Sequence, residues 1–210
     1  GIRLIGPKPR FARPDGGEAG LHPSNIHDNA YAVGAVDFTG DTPIILGPDG
    51  PSLGGFVCPF VLARAELWKL GQLRPGDAVR FAPMTLAEAD TALQAQEAAL
   101  ANLAPPPAPA APAVTRPADL EPAIRLTREA QIPVVYRRSG DDNLLVEFGD
   151  NVLSLDLRVR VHALMSALAT EKRSEIIDLT PGIRSLQVHY DGRRISEARL
   201  LAHLDAIERA

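Results

Sequence analysis

Apolar residues fall along this chain in two rhythms. Up to about residue 81 they come in short runs broken by glycine and proline, and residues 2–5, 31–38, 43–46, 58–62 and 78–81 read as strands. The turns between them carry Gly40-Asp41, Gly47-Pro48-Asp49-Gly50, Gly54-Gly55 and Pro75-Gly76-Asp77. Short strands at such spacing predict a sandwich or barrel. One helical turn is expected at residues 64–69. A helix is expected over residues 85–100, with Thr85 as N-cap and Glu88 at capping-box spacing.

Beyond residue 122 the rhythm changes. Residues 134–138 and 143–148 predict a hairpin turning at Ser139-Gly140-Asp141-Asp142. Leu157, Val161, Leu164, Met165 and Leu168 recur at helical spacing. Residues 175–180 and 184–190 read as two more strands around Pro181-Gly182. Ser196 then caps a helix striped with Leu200, Leu201, Leu204 and Ile207. The order ββαββα predicts a small α+β layer, with helices on one face of an antiparallel sheet.

Composition separates these halves. Thirteen of the 17 glycines lie in residues 1–76. Between the halves runs Ala104-Pro105-Pro106-Pro107-Ala108-Pro109-Ala110-Ala111-Pro112, followed by Pro117 and Pro122. Such a run favours extended polyproline II structure and reads as a semi-rigid tether. The expected organisation is therefore a mainly β part over residues 1–103, a Pro/Ala-rich linker over 104–122 and an α+β part over 123–210. The chain is 45% hydrophobic and 23% charged, with a formal charge of −4. That balance gives no electrostatic support for nucleic acid, and no apolar run is long enough to span a membrane. One cysteine, Cys58, and an opening directly on Ile2-Arg3-Leu4-Ile5 lead us to expect a reducing, cytoplasmic setting and no signal peptide.

Chemistry is densest between Asp15 and Asp28, where His22, Ser24, Asn25, His27 and Asp28 share a loop with three glycines. Glycine there lets backbone approach a ligand, and a neighbouring His and Asp can fix an imidazole tautomer. The same residues also suit a solvated loop with Asx turns. His22 and His27 are five apart across Pro23, which does not suit a zinc pair, so no metal is expected. Gly54-Gly55 presents a second candidate, its backbone N–H groups being able to face an oxyanion, although a tight β corner needs glycine too. Lys8, Arg10 and Arg13 offer charges for an anion, but simple pairing with Asp15 and Glu18 is the expectation. Cys58, among apolar neighbours, reads as an inert thiol. No Gly-Lys-Ser or Gly-Lys-Thr phosphate loop occurs.

Longer motifs carry a resemblance. Gly1-Ile2-Arg3-Leu4-Ile5-Gly6-Pro7, His22-Pro23-Ser24-Asn25-Ile26, Phe38-Thr39-Gly40-Asp41-Thr42-Pro43, Asp49–Phe56 and Leu67–Asp77 resemble the C-terminal part of the KipA-like family, allophanate hydrolase subunit 2. Asn143-Leu144-Leu145-Val146-Glu147-Phe148-Gly149 and Leu179-Thr180-Pro181-Gly182-Ile183 resemble the N-terminal part of the KipI-like family, allophanate hydrolase subunit 1. In this order and fused, the two are similar to the carboxyltransferase region of biotin-dependent urea carboxylase.

The resemblance implies a partial cyclophilin-like β-barrel followed by the ββαββα part. It implies transfer of carboxylate from carboxybiotin to urea, giving allophanate. Under it, His27, His22 and Asp28 are the expected acid–base residues, and Asn25, Ser24, Asp28, Gly54 and Gly55 the expected substrate contacts. Biotin would arrive as carboxybiotin on a carrier domain, and ATP would be used by a separate carboxylase domain. Expected partners are the remaining carboxyltransferase halves, those two domains and a urea-like small molecule. Neither Met84 nor Met165 precedes lysine, so the biotin attachment motif is absent from this sequence, which reads as a piece of a larger enzyme. Open alternatives are guanidine or a related amide as acceptor, a KipI/KipA-type 5-oxoproline-cleaving pair, and a kinase-inhibiting binding module.

Overall fold

The computed structural model describes residues 1–105 and 122–209, so residues 106–121 of the expected linker lie outside the described residues. Two compact units emerge: Gly1–Val61 together with Ala123–Ala210, and Leu62–Pro122.

The first part of the larger unit is built from six short strands: β1 (Ile2–Arg3), β2 (Asn25–Ala30), β3 (Ala35–Thr39), β4 (Thr42–Ile45), β5 (Leu53–Phe56) and β6 (Phe60–Val61). They form an antiparallel sheet of order β1-β4-β3-β6 and a separate ribbon of β2 with β5. Strands β3 and β4 turn through Gly40-Asp41, with Thr39 opposite Thr42 and Gly40 at φ +65°. A two-residue turn of that hand suits the twist of a hairpin and needs a residue tolerant of positive φ.

The expected strand at 31–38 begins only at Ala35, and the polar stretch read as loop supplies β2 instead. Residues 78–81, expected as a strand, carry none. Apolar, β-branched composition describes a half-buried surface and supplies no pairing partner.

The smaller unit holds a 3-10 helix, Arg64–Gln72, and α1 (Leu86–Ala101). Thr85 caps α1 as expected: its hydroxyl accepts from the Glu88 N–H and the Glu88 carboxylate accepts from the Thr85 N–H. The Gln96 side chain donates to the Ala65 carbonyl at 3.2 Å, tying the two helices together.

After residue 122 come β7 (Ile124–Arg128), β8 (Val134–Arg138), β9 (Asn143–Phe148), α2 (Leu155–Glu171), β10 (Ile176–Pro181), β11 (Ser185–Tyr190) and α3 (Glu197–Arg209). The five strands make one antiparallel sheet of order β10-β11-β9-β8-β7. Strand β7 is an addition to the expected ββαββα order. Alternation along the strands sends Tyr136, Leu144, Phe148 and Leu186 to the face where Leu200 and Leu204 of α3 pack, all essentially inaccessible. Residues Leu157, Val161, Leu164 and Leu168 of α2 close the same core. The opposite face of β11 presents Ser185 and Gln187, which are buried against β2. Strands and helices are thus mixed and the sheets are open. Among the described residues no helix is long and apolar enough to cross a membrane.

Candidate functional site

The β2–β5 ribbon carries a local irregularity that shapes everything around it. Asn25 lies opposite Phe56 and Asn29 opposite Gly54, so Ile26, His27 and Asp28 face the single residue Gly55. Extra residues on one strand form a bulge, which breaks the alternation and re-aims side chains. An open cleft of about 440 Å³ lies along this bulge, lined by Glu18, Asn25, His27, Asp28, Gly55 and Phe56, with Leu153 and Ile183 from beyond residue 122.

Each wall has a local cause. Arg13 reaches the Pro23 carbonyl through Nε at 2.8 Å and the Asn25 carbonyl through Nη2, and so fixes the chain entering β2. The loop glycines pack inward: a Cβ on Gly20 would stand 2.5 Å from the Asn25 amide nitrogen, and one on Gly16 2.9 Å from the Asn25 Cβ. Close packing on Asn25 is thus what these two glycines allow. The Asn25 side chain donates to the Ala19 carbonyl at 3.4 Å.

His27 is mostly buried in the cleft wall. Its side chain is 13% accessible, and Nε2 has no hydrogen-bond partner, lying 3.7 Å from Glu18 Oε2. The same Glu18 oxygen accepts the Leu153 N–H at 3.0 Å, which ties the segment before α2 to the cleft. Asp28 is exposed at the mouth.

His22 points elsewhere. Its Nδ1 accepts the Ser24 N–H at 3.1 Å and lies 2.8 Å from Ser24 Oγ, while Nε2 faces Asp41 at 3.6 Å. A ring nitrogen that accepts a backbone N–H leaves the proton on Nε2 in the neutral imidazole. Ser24 is fully buried, and its Oγ accepts the Gly40 N–H at 3.2 Å. Lys8 pairs with the other oxygen of Asp41 at 2.8 Å, where expectation had set it against Asp15 and Glu18. That hydrogen bond from Lys8 holds the Asp41 carboxyl below the usual carboxylate range.

Gly54 and Gly55 are present for space. Neither has positive φ, but a Cβ on Gly54 would stand 2.3 Å from the Tyr31 ring and one on Gly55 3.0 Å from the Ile26 carbonyl. Tyr31 Oη accepts the Phe56 N–H at 2.8 Å and donates to its carbonyl at 3.2 Å, and burial raises the phenol well above its ordinary pKa. Running into the start of β5, Gly50-Pro51-Ser52-Leu53-Gly54 has Gly-x-Ser-x-Gly spacing. It leads into a strand, however, where a nucleophile elbow needs a strand-to-helix turn. Burial pushes the Cys58 thiol up to about 12, consistent with an inert cysteine.

The structure therefore gathers Asn25, His27, Asp28 and Gly55, and places His22, Ser24 and Gly54 around them as supports. Glu18 was expected to pair with Lys8, Arg10 and Arg13, and Leu153 was not singled out from sequence. Only the Leu179–Ile183 motif hinted that the later half contributes. No group of three or more His, Cys, Asp or Glu suited to a metal occurs among the described residues.

Comparison with known proteins places both parts of the chain in one domain family. Residues 1–83 match the model of the carboxyltransferase domain, subdomain A and B, and residues 121–210 that of the carboxyltransferase domain, subdomain C and D. The chain is 42% identical over 217 residues to the urea amidolyase of Lachancea kluyveri and 41% over 212 residues to that of Saccharomyces cerevisiae, covering 99% of itself in each case. It spans 12% of the length of either relative. Its structure superimposes on Kluyveromyces lactis urea amidolyase with a TM-score of 0.89 and on Kluyveromyces lactis urea carboxylase with 0.87. Identity is 40% in both, with 99% of this chain covered and 13% and 19% of the larger ones. Similar along nearly its whole length to urea amidolyases and urea carboxylases, and matched by both models, the chain belongs to the carboxyltransferase-domain family, carrying subdomains A and B before its Pro-rich stretch and C and D after it.

Proposed function

We propose that this chain forms the acceptor-side part of a carboxyltransferase site in a urea carboxylase, where carboxylate passes from carboxybiotin to urea to give allophanate. The bulge carries this reading: it sets an amide, an unpartnered imidazole nitrogen and a carboxylate on one wall of a small cleft. Urea is neutral, with two amide-type donors and a carbonyl acceptor. Asn25 offers a matching acceptor and donor, and the Asp28 carboxylate accepts from a urea N–H. As the urea nitrogen gains the carboxyl carbon it must lose a proton. His27, the imidazole in the cleft wall, is the group to take that proton. Glu18 Oε2 lies 3.7 Å from the same imidazole's Nε2. The apolar wall of Ile26, Phe56, Leu153 and Ile183 suits the flat ureido ring of biotin. When bound, carboxybiotin supplies an activated carboxyl group, and the chain's residues orient the acceptor towards it.

In this reading residues 1–103 and 123–210 are the two expected parts, joined by the 104–122 linker, and the first adopts a cyclophilin-like arrangement when complete. The remaining carboxyltransferase halves, a biotin carboxylase domain that uses ATP and a carrier domain complete the enzyme, in the cytoplasm. Asn25→Ala and Asp28→Ala, each placed in the intact enzyme, are expected to lower allophanate formation about 100-fold while ATP-dependent carboxylation of biotin continues. Wild-type turnover in both variants would refute the assignment. The two carboxylates at the cleft, Glu18 and Asp28, equally suit a guanidinium cation, so a competition assay between urea and guanidine names the acceptor.

A further inference from the structure

We infer that the turn Pro181-Gly182-Ile183 is a positioning element that fixes the Asp28 peptide, so that subdomains C and D set the geometry of a cleft whose polar groups come from A and B. The inference rests on the reading of Asp28 given above. Inside the bulge the peptides of residues 26–28 face only Gly55, so the regular ladder cannot hold them all. The Asp28 carbonyl instead accepts the Ile183 N–H at 3.0 Å. Two further ties follow along β11. Ser185 Oγ donates to Asn29 Oδ1 at 2.8 Å, and Gln187 Nε2 donates to the Tyr31 carbonyl at 3.4 Å. Ser185 and Gln187 share one face of β11 by strand alternation, and both are buried there. Residues 183, 185 and 187 thus grip residues 28, 29 and 31 in order.

Gly182 makes this approach possible. A Cβ there would stand 2.6 Å from the Asp28 carbonyl oxygen, 2.7 Å from Ser185 Oγ and 3.3 Å from the Asn29 Cα. Its φ is not positive, so the position demands glycine for space alone. Its N–H closes the turn on the Ser185 carbonyl at 2.7 Å. Alanine would therefore displace the Asp28 peptide by roughly the overlap it creates, and near 1 Å of misplacement costs about 100-fold in rate.

The test uses the intact enzyme with Gly182→Ala, and with Gly192→Ala as control, where a Cβ meets nothing nearer than 3.9 Å. Gly182→Ala is expected to lower kcat for carboxyl transfer about 10- to 100-fold and to speed hydrogen exchange of the Ile183 amide, while Gly192→Ala changes neither. Combined with Asp28→Ala it should add nothing to the loss from Asp28→Ala alone, since residues acting as a unit are not additive. Ser185→Ala, which removes the neighbouring tie without adding volume, serves should Gly182→Ala not fold. It should show a smaller loss with the same non-additivity. A wild-type rate in Gly182→Ala, multiplying losses in the double variant, or unchanged Ile183 protection would each overturn the inference. Wild-type turnover of Asp28→Ala would overturn the role of Asp28, and the Ile183 exchange would still judge the positioning.

Discussion

Residues 1–61 and 123–209 lie in one compact unit, yet they are held by different forces. The later region closes around a single apolar cluster of fifteen buried residues, from Val134 on β8 to Leu204 on α3. The earlier region has a cluster of only Tyr31, Ala35 and Leu46 around which a few neighbours pack. What fixes its loops is directional: Arg13 on two carbonyls, Ser24 between His22 and Gly40, Tyr31 on both polar groups of Phe56. Apolar packing tolerates small shifts, whereas hydrogen bonds lose strength quickly with distance and angle. The cleft sits on the thinly packed, polar side, and the thick core behind it supplies the rigid edge it leans on.

That contrast can be broken most forcefully through the core. Phe148 is completely buried at the end of β9, with the Arg160 guanidinium 5.4 Å from its ring centre. Phe148→Ala is expected to cost about 3–5 kcal/mol in urea denaturation. Because β11 belongs to the same sheet, the ties to Asp28, Asn29 and Tyr31 should be lost in the same transition. Hydrogen exchange that left the β2 amides protected while the sheet opened would show that the earlier region stands alone. A smaller effect is expected from Arg13→Ala. Removing two charge-assisted hydrogen bonds should cost about 1.5–3 kcal/mol, felt locally as faster exchange of the Asn25 amide, which bonds the His22 carbonyl at 2.9 Å. Equal loosening of the five-stranded sheet would erase the distinction between the regions.

The same contrast governs what could be read in advance. Where apolar packing decides, period is visible: the Leu157–Leu168 stripe, the β8–β9 hairpin and the Leu200–Leu204 stripe all sit as their spacing implied. Where polar ties decide, it is not. Asn25-Ile26-His27-Asp28-Asn29-Ala30 has poor strand propensity, and it is extended because β5 and residues 183–187 hold it there. Strand β7 is an edge strand directly following a proline-rich run, and its short alternation was hidden by its neighbours in sequence. The density of polar groups did draw attention to the stretch holding Asn25, His27 and Asp28, which line the cleft. It was silent on Glu18 joining His27 to the Leu153 N–H, because that bond spans 135 positions and no local pattern encodes it.

The finest test of the comparison sets one buried carboxylate against another. Glu147 on β9 is 12% accessible and held by two guanidiniums, Arg137 at 2.9 Å and Arg184 at 2.8 Å. Asp37 on β3 is 4% accessible; its Oδ1 has no hydrogen-bond partner, and Oδ2 accepts only a long bond from Thr39, at 3.4 Å. Burial pushes the Asp37 carboxyl above the ordinary range, with Thr39 and the charge of Arg3 opposing. A carboxyl whose folded pKa exceeds its unfolded value binds its proton more readily when folded. Its contribution to stability is therefore most favourable below about pH 4, the unfolded value, and is lost as pH rises through the folded pKa. Asp37→Asn removes the charge at nearly constant shape. It is expected to raise stability by about 1 kcal/mol at pH 7, with the gain shrinking towards pH 4, as read from urea denaturation at the two pH values. Glu147→Gln should shift stability the other way, since it strands two paired arginines. A loss at both positions would mean that the earlier region secures its carboxylate as well as the later one does, and the division between a polar-tied face and an apolar-packed support would fail at its most sensitive point.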